Sequence, residues 1–264
     1  MVKIGMSTSC TFPKGLDSSF RIAKEAGYDG MEIMISADQA SRSAGAMQQL
    51  IDKHDFPVLA IHAPVLFFTQ FVWGTNPAMK LQRSVELAAE VGADCVVVHP
   101  PFRWQGAYAV SFLDLVRGLE QRSGVTVAVE NMFPWNVSGS STRMYSPGIN
   151  PVDMDCDSIT LDFSHAALSG DDALELARAA GPRLRHVHLC DGQAPGGSGK
   201  VFDEHLAPGK GGQPVAETLE YLRDSGFDGH VVAEVNTRSA KNDSERVRIL
   251  AETADFARRH LGLG

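Results

Sequence analysis

The chain has 264 residues, with 24 Lys and Arg against 32 Asp and Glu, a formal charge of −8. A content of 44% apolar and 21% charged residues excludes a disordered or fibrous chain and fits one large α/β domain. No apolar run reaches the roughly 18 residues of a membrane span, no leader-like apolar segment follows Lys3, and Cys10, Cys95, Cys156 and Cys190 are too dispersed for a thiolate zinc cluster. A cytoplasmic protein without membrane contact is expected, and the acidic balance weighs against a generic grip on polyanions.

Strands are predicted at 2–7, 31–35, 58–62, 95–99, 126–130, 158–162, 184–188 and 230–234. These runs are short and often rich in Val and Ile, as in strands buried on both faces. Between the first two lies Ala26-Gly27-Tyr28-Asp29-Gly30, a phrase that recurs as Val91-Gly92-Ala93-Asp94-Cys95 and Ser225-Gly226-Phe227-Asp228-Gly229. Each copy joins a helical spacing to a β-like run, and its first glycine suits a helix end in the left-handed region. Asn76-Pro77 is a cap and first-turn proline ahead of Leu81, Val85 and Ala88, while Asn242 with Glu245 opens the last helix. The connections 131–157 and 190–213 are long enough to be functional, and Gly196 to Lys200 reads as a flexible lid because it fails the phosphate-loop pattern. Eight strands alternating with helices predict a (β/α)₈ TIM barrel, one domain over residues 1–264.

From the third strand onward, the predicted strand ends are His62, His99, Glu130, Asp162, His188 and Glu234. In a barrel these ends ring one pocket mouth, and His165, Asp191, Asp203 and His205 follow in the adjoining loops. Carboxylates that crowd together repel unless they share a cation, so a divalent metal centre is expected. Imidazole and carboxylate without thiolate suit Zn²⁺, Mn²⁺ or Fe²⁺. His186 is assigned to packing one layer deeper, and Glu32 to the polar interior; His54, His230 and His260 are placed at the surface. Cys190 adjoins the ring without a visible base, so no nucleophilic role is assigned to it. Trp73, Phe102, Trp104 and Trp135 serve either as platforms for a sugar ring or as loop packing, and Arg103, Arg185 and Lys210 are candidates to meet a phosphate or terminal hydroxyl.

The ordered series is His-Ala-Pro at 62–64, His99-Pro100, Glu130-Asn131, Leu161-Asp162-Phe163-Ser164-His165, His186-Val187-His188-Leu189-Cys190-Asp191, Asp203-Glu204-His205 and Ala233-Glu234. It resembles the xylose isomerase-like TIM barrel superfamily, which holds sugar isomerases and epimerases alongside endonuclease IV. The resemblance implies two readings. An isomerase or epimerase would bind one ion, Zn²⁺ or Mn²⁺, through Glu130, Asp162, His188 and Glu234, with Glu130 and Glu234 as the acid/base pair. An endonuclease IV-like phosphodiesterase acting on abasic-site DNA would engage His62, His99, Glu130, Asp162, His165, His188, Asp203, His205 and Glu234 around three zinc ions. The loops Ser36 to Ala40 and Ala63 to Leu66 offer poor phosphate or base contacts, so a small carbohydrate is favoured over nucleic acid, with one or two tightly held ions rather than three.

Overall fold

The computed structural model describes residues 1–64, 69, 71–137, 140–142, 144–193 and 203–263. The segments 196–200 and 65–66, read above as a lid and a loop, lie outside the described residues. In chain order the elements are β1 (Lys3–Ser7), α1 (Leu16–Glu25), β2 (Gly30–Met34), α2 (Ala44–His54), β3 (Val58–His62), α3 (Pro77–Val91), β4 (Cys95–Val98), α4 (Ala107–Ser123) and β5 (Thr126–Glu130). There follow β6 (Trp135–Val137), β7 (Ser140–Thr142), β8 (Ile159–Asp162), α5 (Phe163–Ser169), α6 (Ala173–Ala180), β9 (Leu184–Leu189), α7 (Val215–Asp224), β10 (His230–Ala233) and α8 (Asp243–Leu261). Eight parallel strands close into a barrel, in the ring order β1-β2-β3-β4-β5-β8-β9-β10, while β6 and β7 pair as a separate antiparallel hairpin. All eight predicted barrel strands are present within a residue at each end; His99 and Glu234 sit one position past β4 and β10.

Local chemistry explains the joints. Gly27, Gly92 and Gly226, the first glycines of the recurring phrase, have φ of +82°, +76° and +76°, a region that side chains with a Cβ resist. Asn76 accepts from the backbone N–H of Ala78 and Met79 and so starts α3. Asn242 accepts from Glu245 N–H, but Glu245 reaches back to Lys241 N–H, one residue before the cap that a capping box would satisfy.

TIM barrels are usually filled by bulky branched side chains. Here Leu59 fills the lower barrel, where a Cβ on Gly30 would come 2.6 Å from Leu59 Cγ. Above it, strand alternation puts Ala60, Cys95 and Ala128 on the same inward face as His62, His99 and Glu130, and these three small residues form a cluster apart from the main core. The main core lies between strands and helices instead. His230 is a correction: it is buried, not a surface residue, and its Nε2 lies 2.6 Å from Asp94 Oδ1. β10 and β4 are four places apart in the ring of eight, so this pair spans the barrel floor. His54 and His260 are half-buried on helices, 2.6 Å from Asp17 and 2.9 Å from Glu220.

Candidate metal centre

The nine predicted residues converge at the carboxyl ends of the strands. Glu130 is the hub. Its Oε2 lies 2.9 Å from His99 Nε2 and 3.3 Å from His62 Nε2; its Oε1 lies 3.0 Å from His188 Nδ1 and 3.3 Å from His165 Nδ1. His188 Nδ1 also faces Glu234 Oε2 at 3.0 Å and Asp162 Oδ2 at 3.5 Å. Toward the rim, Asp203 Oδ2 lies 3.2 Å from His165 Nε2 and 2.8 Å from His205 Nε2. Glu130, Asp162 and His188 are essentially sealed from solvent, while the Asp203 side chain keeps about a third of its surface exposed.

Backbone acceptors set the tautomers of three of these rings. The Nδ1 atoms of His62, His165 and His205 lie 3.2, 2.9 and 2.9 Å from the carbonyl oxygens of Ala63, Asn131 and Glu234, so each donates there and turns Nε2 toward a carboxylate. His205 adopts φ +45° to make this turn, a conformation tolerated by His more readily than by bulky residues. Asp162 caps α5, accepting from His165 N–H at 2.8 Å, which couples the strand end to His165 one helical turn on.

Several positioning residues escaped the sequence reading. Asn131 clasps β8: its Oδ1 accepts from Asp162 N–H at 2.7 Å and its amide donates to Asp162 O at 3.0 Å. Its signal was the Glu-Asn pair that ends β5. Ser164 Oγ donates to Asp203 Oδ1 at 2.6 Å. Asp191, read as a ring member, is an anchor instead. Its carboxylate accepts from the backbone N–H of Gly192, Gly209, Gly211 and Gln213, at 2.8 to 3.1 Å, and so holds the loop that carries His205.

Charge compensation governs the protonation states. Burial drives the Glu130 carboxyl up, but His188 and His99 overcome it and hold it well below the usual carboxylate range. Burial keeps the Glu234 carboxyl above that range, against His188 and His205. Burial lowers His188 and His165, yet the carboxylates of Glu32 and Glu234 beside the first, and of Asp162 and Asp203 beside the second, raise both well above an ordinary imidazole. The Cys190 thiol, 3.8 Å from Asp162, is pushed up to about 12 by burial.

The residues fit a divalent ion on a specific observation. Among the described residues, Glu130 Oε2 makes no hydrogen bond although it is 2.9 Å from His99 Nε2 and 3.3 Å from His62 Nε2. A buried carboxylate oxygen left unpaired beside two imidazole nitrogens suits a shared cation. Among the described residues, groups able to hold one are His62–Glu130–His188, Asp162–His188–Glu234, Asp162–His165–His205 and, deeper in the barrel, Glu32–His186–His188.

Two cavities open at this centre. One, of about 740 Å³, reaches His62 and is lined in part by Thr8, Ser9, Ser36, Phe12 and Arg238. The other, of about 360 Å³, reaches His99 past Phe102 and Trp104, whose rings stack at 4.5 Å. Phe102 also packs on Tyr145 and Trp135 in a loop core, the packing alternative foreseen for these aromatics. Arg185 is corrected: it lies at the start of β9, at the far end from His188, and pairs with Asp228 at 3.3 Å.

Residues 20–260 match the xylose isomerase-like TIM barrel family. The chain belongs to that family. An uncharacterized protein of Mycobacterium tuberculosis is 44% identical over 279 residues, covering 98% of each chain. Fructoselysine 3-epimerase of Shigella flexneri is 22% identical over 259 residues, 89% of this chain and 91% of the epimerase. Among solved structures, the zinc-bound IolI protein superposes with a TM-score of 0.72 at 19% identity, over 98% of this chain and 99% of that one. At that identity the likeness establishes the fold alone.

Proposed function

We propose that this member of the family is a divalent-metal-dependent sugar isomerase or epimerase. One observation carries the reading: Glu130 and Glu234, from strands three places apart on the ring, both lie 3.0 Å from the single nitrogen His188 Nδ1, with Asp162 beside them. Glu130, Asp162, His188 and Glu234 would hold the ion, Zn²⁺ or Mn²⁺. A bound divalent ion supplies Lewis-acid stabilisation of the charge that develops on a carbonyl oxygen when an adjacent C–H proton leaves.

The chain's own groups handle that proton. Environments that push two carboxyls apart mark an acid and a base. Glu130, held low, is placed to accept a proton at its carboxylate, and Glu234, held higher, to return one. Entering from two sides of the cup, they address opposite faces of a planar carbon, which is the requirement of epimerisation. The hydroxyls of Thr8, Ser9 and Ser36 in the larger cavity are suited to bind sugar hydroxyls. The fructoselysine epimerase among the relatives supports the substrate class.

The test is deuterium wash-in. Protein stripped of metal and reloaded with Mn²⁺ or Zn²⁺ is expected to place solvent deuterium on the carbon next to the carbonyl of a ketose or keto-glycoside. No incorporation across such a panel by the loaded protein would overturn the reading. The convergence of all nine residues, including the rim trio His165, Asp203 and His205, favours a second reading, a zinc phosphodiesterase. Nicking of abasic-site DNA together with three ions per chain would establish it in place of the first.

A further inference from the structure

Below the centre, the barrel interior holds polar side chains that the proposed chemistry does not use. Glu32 on β2, Thr160 on β8 and His186 on β9 have no exposed surface at all. Glu32 Oε2 accepts a hydrogen bond at 3.2 Å from His188 Nε2. The same oxygen lies 3.0 Å from His186 Nε2, but off the hydrogen-bonding direction, and among the described residues Glu32 Oε1 has no hydrogen-bond partner. The carboxylate is therefore aimed, by one oxygen, at His188.

His188 differs from the neighbouring imidazoles in which nitrogen it offers. His62, His165 and His205 give Nδ1–H to backbone carbonyls and present Nε2; His188 presents Nδ1 to Glu130, Asp162 and Glu234. With Nδ1 given to a divalent ion, the ring keeps its proton on Nε2, which points into the barrel toward Glu32, where β-strand carbonyls are already used in the sheet. A side-chain acceptor is needed there, and Glu32 is in place. We infer that Glu32 is a positioning residue for the metal centre: by accepting the Nε2–H of His188 it holds that ring in the tautomer and orientation that leave Nδ1 open to a divalent ion. This rests on the metal-dependent reading above.

The energetics favour a dedicated role. A carboxylate sealed in a barrel core is destabilising unless it is paired and hydrogen-bonded. The partners of Glu32 are the imidazoles of His188 and His186, and of the two only His188 Nε2 lies along the hydrogen-bonding direction. The Glu32 charge is left to polarise His188, the arrangement by which an outer carboxylate raises the basicity of a metal-ligating imidazole. The small residues Ala60, Cys95 and Ala128 sit at the height of this pair, where bulky side chains would fill an ordinary barrel. A second ion at Glu32, His186 and His188 would require His188 to shed both ring protons, whereas the hydrogen bond requires only one.

The experiment combines zinc affinity with the ring's tautomer. In ¹⁵N-histidine-labelled, zinc-loaded protein, long-range ¹H–¹⁵N spectra are expected to show a slowly exchanging Nε2–H on His188, assigned by its loss in His188→Gln. In Glu32→Gln, which keeps the side-chain volume, that proton is expected to shift and exchange faster. By chelator competition, zinc affinity is expected to fall about tenfold in Glu32→Gln and about a hundredfold in Glu32→Leu. If Glu32→Leu fails to fold, Glu32→Gln decides. Zinc affinities within about twofold of the parent in folded variants, or His188 protonated on Nδ1, would overturn the positioning role while leaving the metal centre standing. A parent chain that takes up no zinc or manganese would overturn both.

Discussion

Glu130 touches four imidazoles within 3.3 Å, so it is the residue whose change is felt most widely. Glu130→Gln is expected to lower turnover by at least about a hundredfold, the low end of what an acid or base group contributes, with far-UV circular dichroism unchanged because the side chain packs no apolar core. Turnover within about tenfold of the parent would place the catalytic carboxylate elsewhere. At the same scale, Asn131→Ala removes two hydrogen bonds that hold the Asp162 backbone. At about 1 kcal/mol for each bond, denaturant unfolding is expected to register a loss on the order of 2 kcal/mol, with weaker metal retention because Asp162 is no longer pinned.

At the scale of elements, the loop after β9 depends on one carboxylate. Asp191 gathers four backbone N–H groups, and a Cβ on Gly211 would land against Asp191 Oδ1 and the Gly192 carbonyl oxygen. Gly211→Ala is therefore expected to release the loop that carries His205, lowering stability by on the order of 1–3 kcal/mol. An unchanged melting curve would show the loop to be held by other contacts. This element also shows where the sequence misled. Asp191 has the right residue type beside the right strand, and only the path of residues 209–213 back over β9 reveals that its oxygens are consumed by backbone. The hairpin β6–β7 and α5 were likewise unforeseen, because their apolar pattern is too short to separate from loop.

For the whole molecule, the centre is a balance of buried charges, and pH should expose it. His165, His188 and His205 are raised well above 6.5 in the metal-free chain: burial opposes, but Asp162, Glu32 and Asp203 respectively lead the charges that prevail. A raised imidazole contributes stability that is fully present below about pH 6.5 and is lost as pH rises through the folded value. Metal-stripped protein is thus expected to melt at lower temperature as pH goes from about 6 to 9, by up to about 1.4 kcal/mol per pH unit for each imidazole titrating. Metal-loaded protein, in which the ion replaces those protons, should lose much less over the same range and should release protons on loading. Parallel melting curves with and without metal would refute this account of the charge balance.

What the sequence determined by itself was periodic and local: eight strands at one βα spacing, their glycine joints, and the acid and imidazole residues at their ends. These are legible because backbone conformation and burial on both faces constrain residue type at each position, whatever the partner. Closure of the barrel then brings His62 and Glu234 to one rim as the spacing implied. Only the tertiary structure decided what depends on strands distant in sequence meeting across the interior. It placed His230 against Asp94 on the floor, withdrew Asp191 into a loop anchor, and set Glu32 behind His188 across 156 positions of chain. A hydrogen bond is directional and specific to single atoms, so residue type alone does not say which nitrogen of an imidazole faces an ion and which faces a carboxylate.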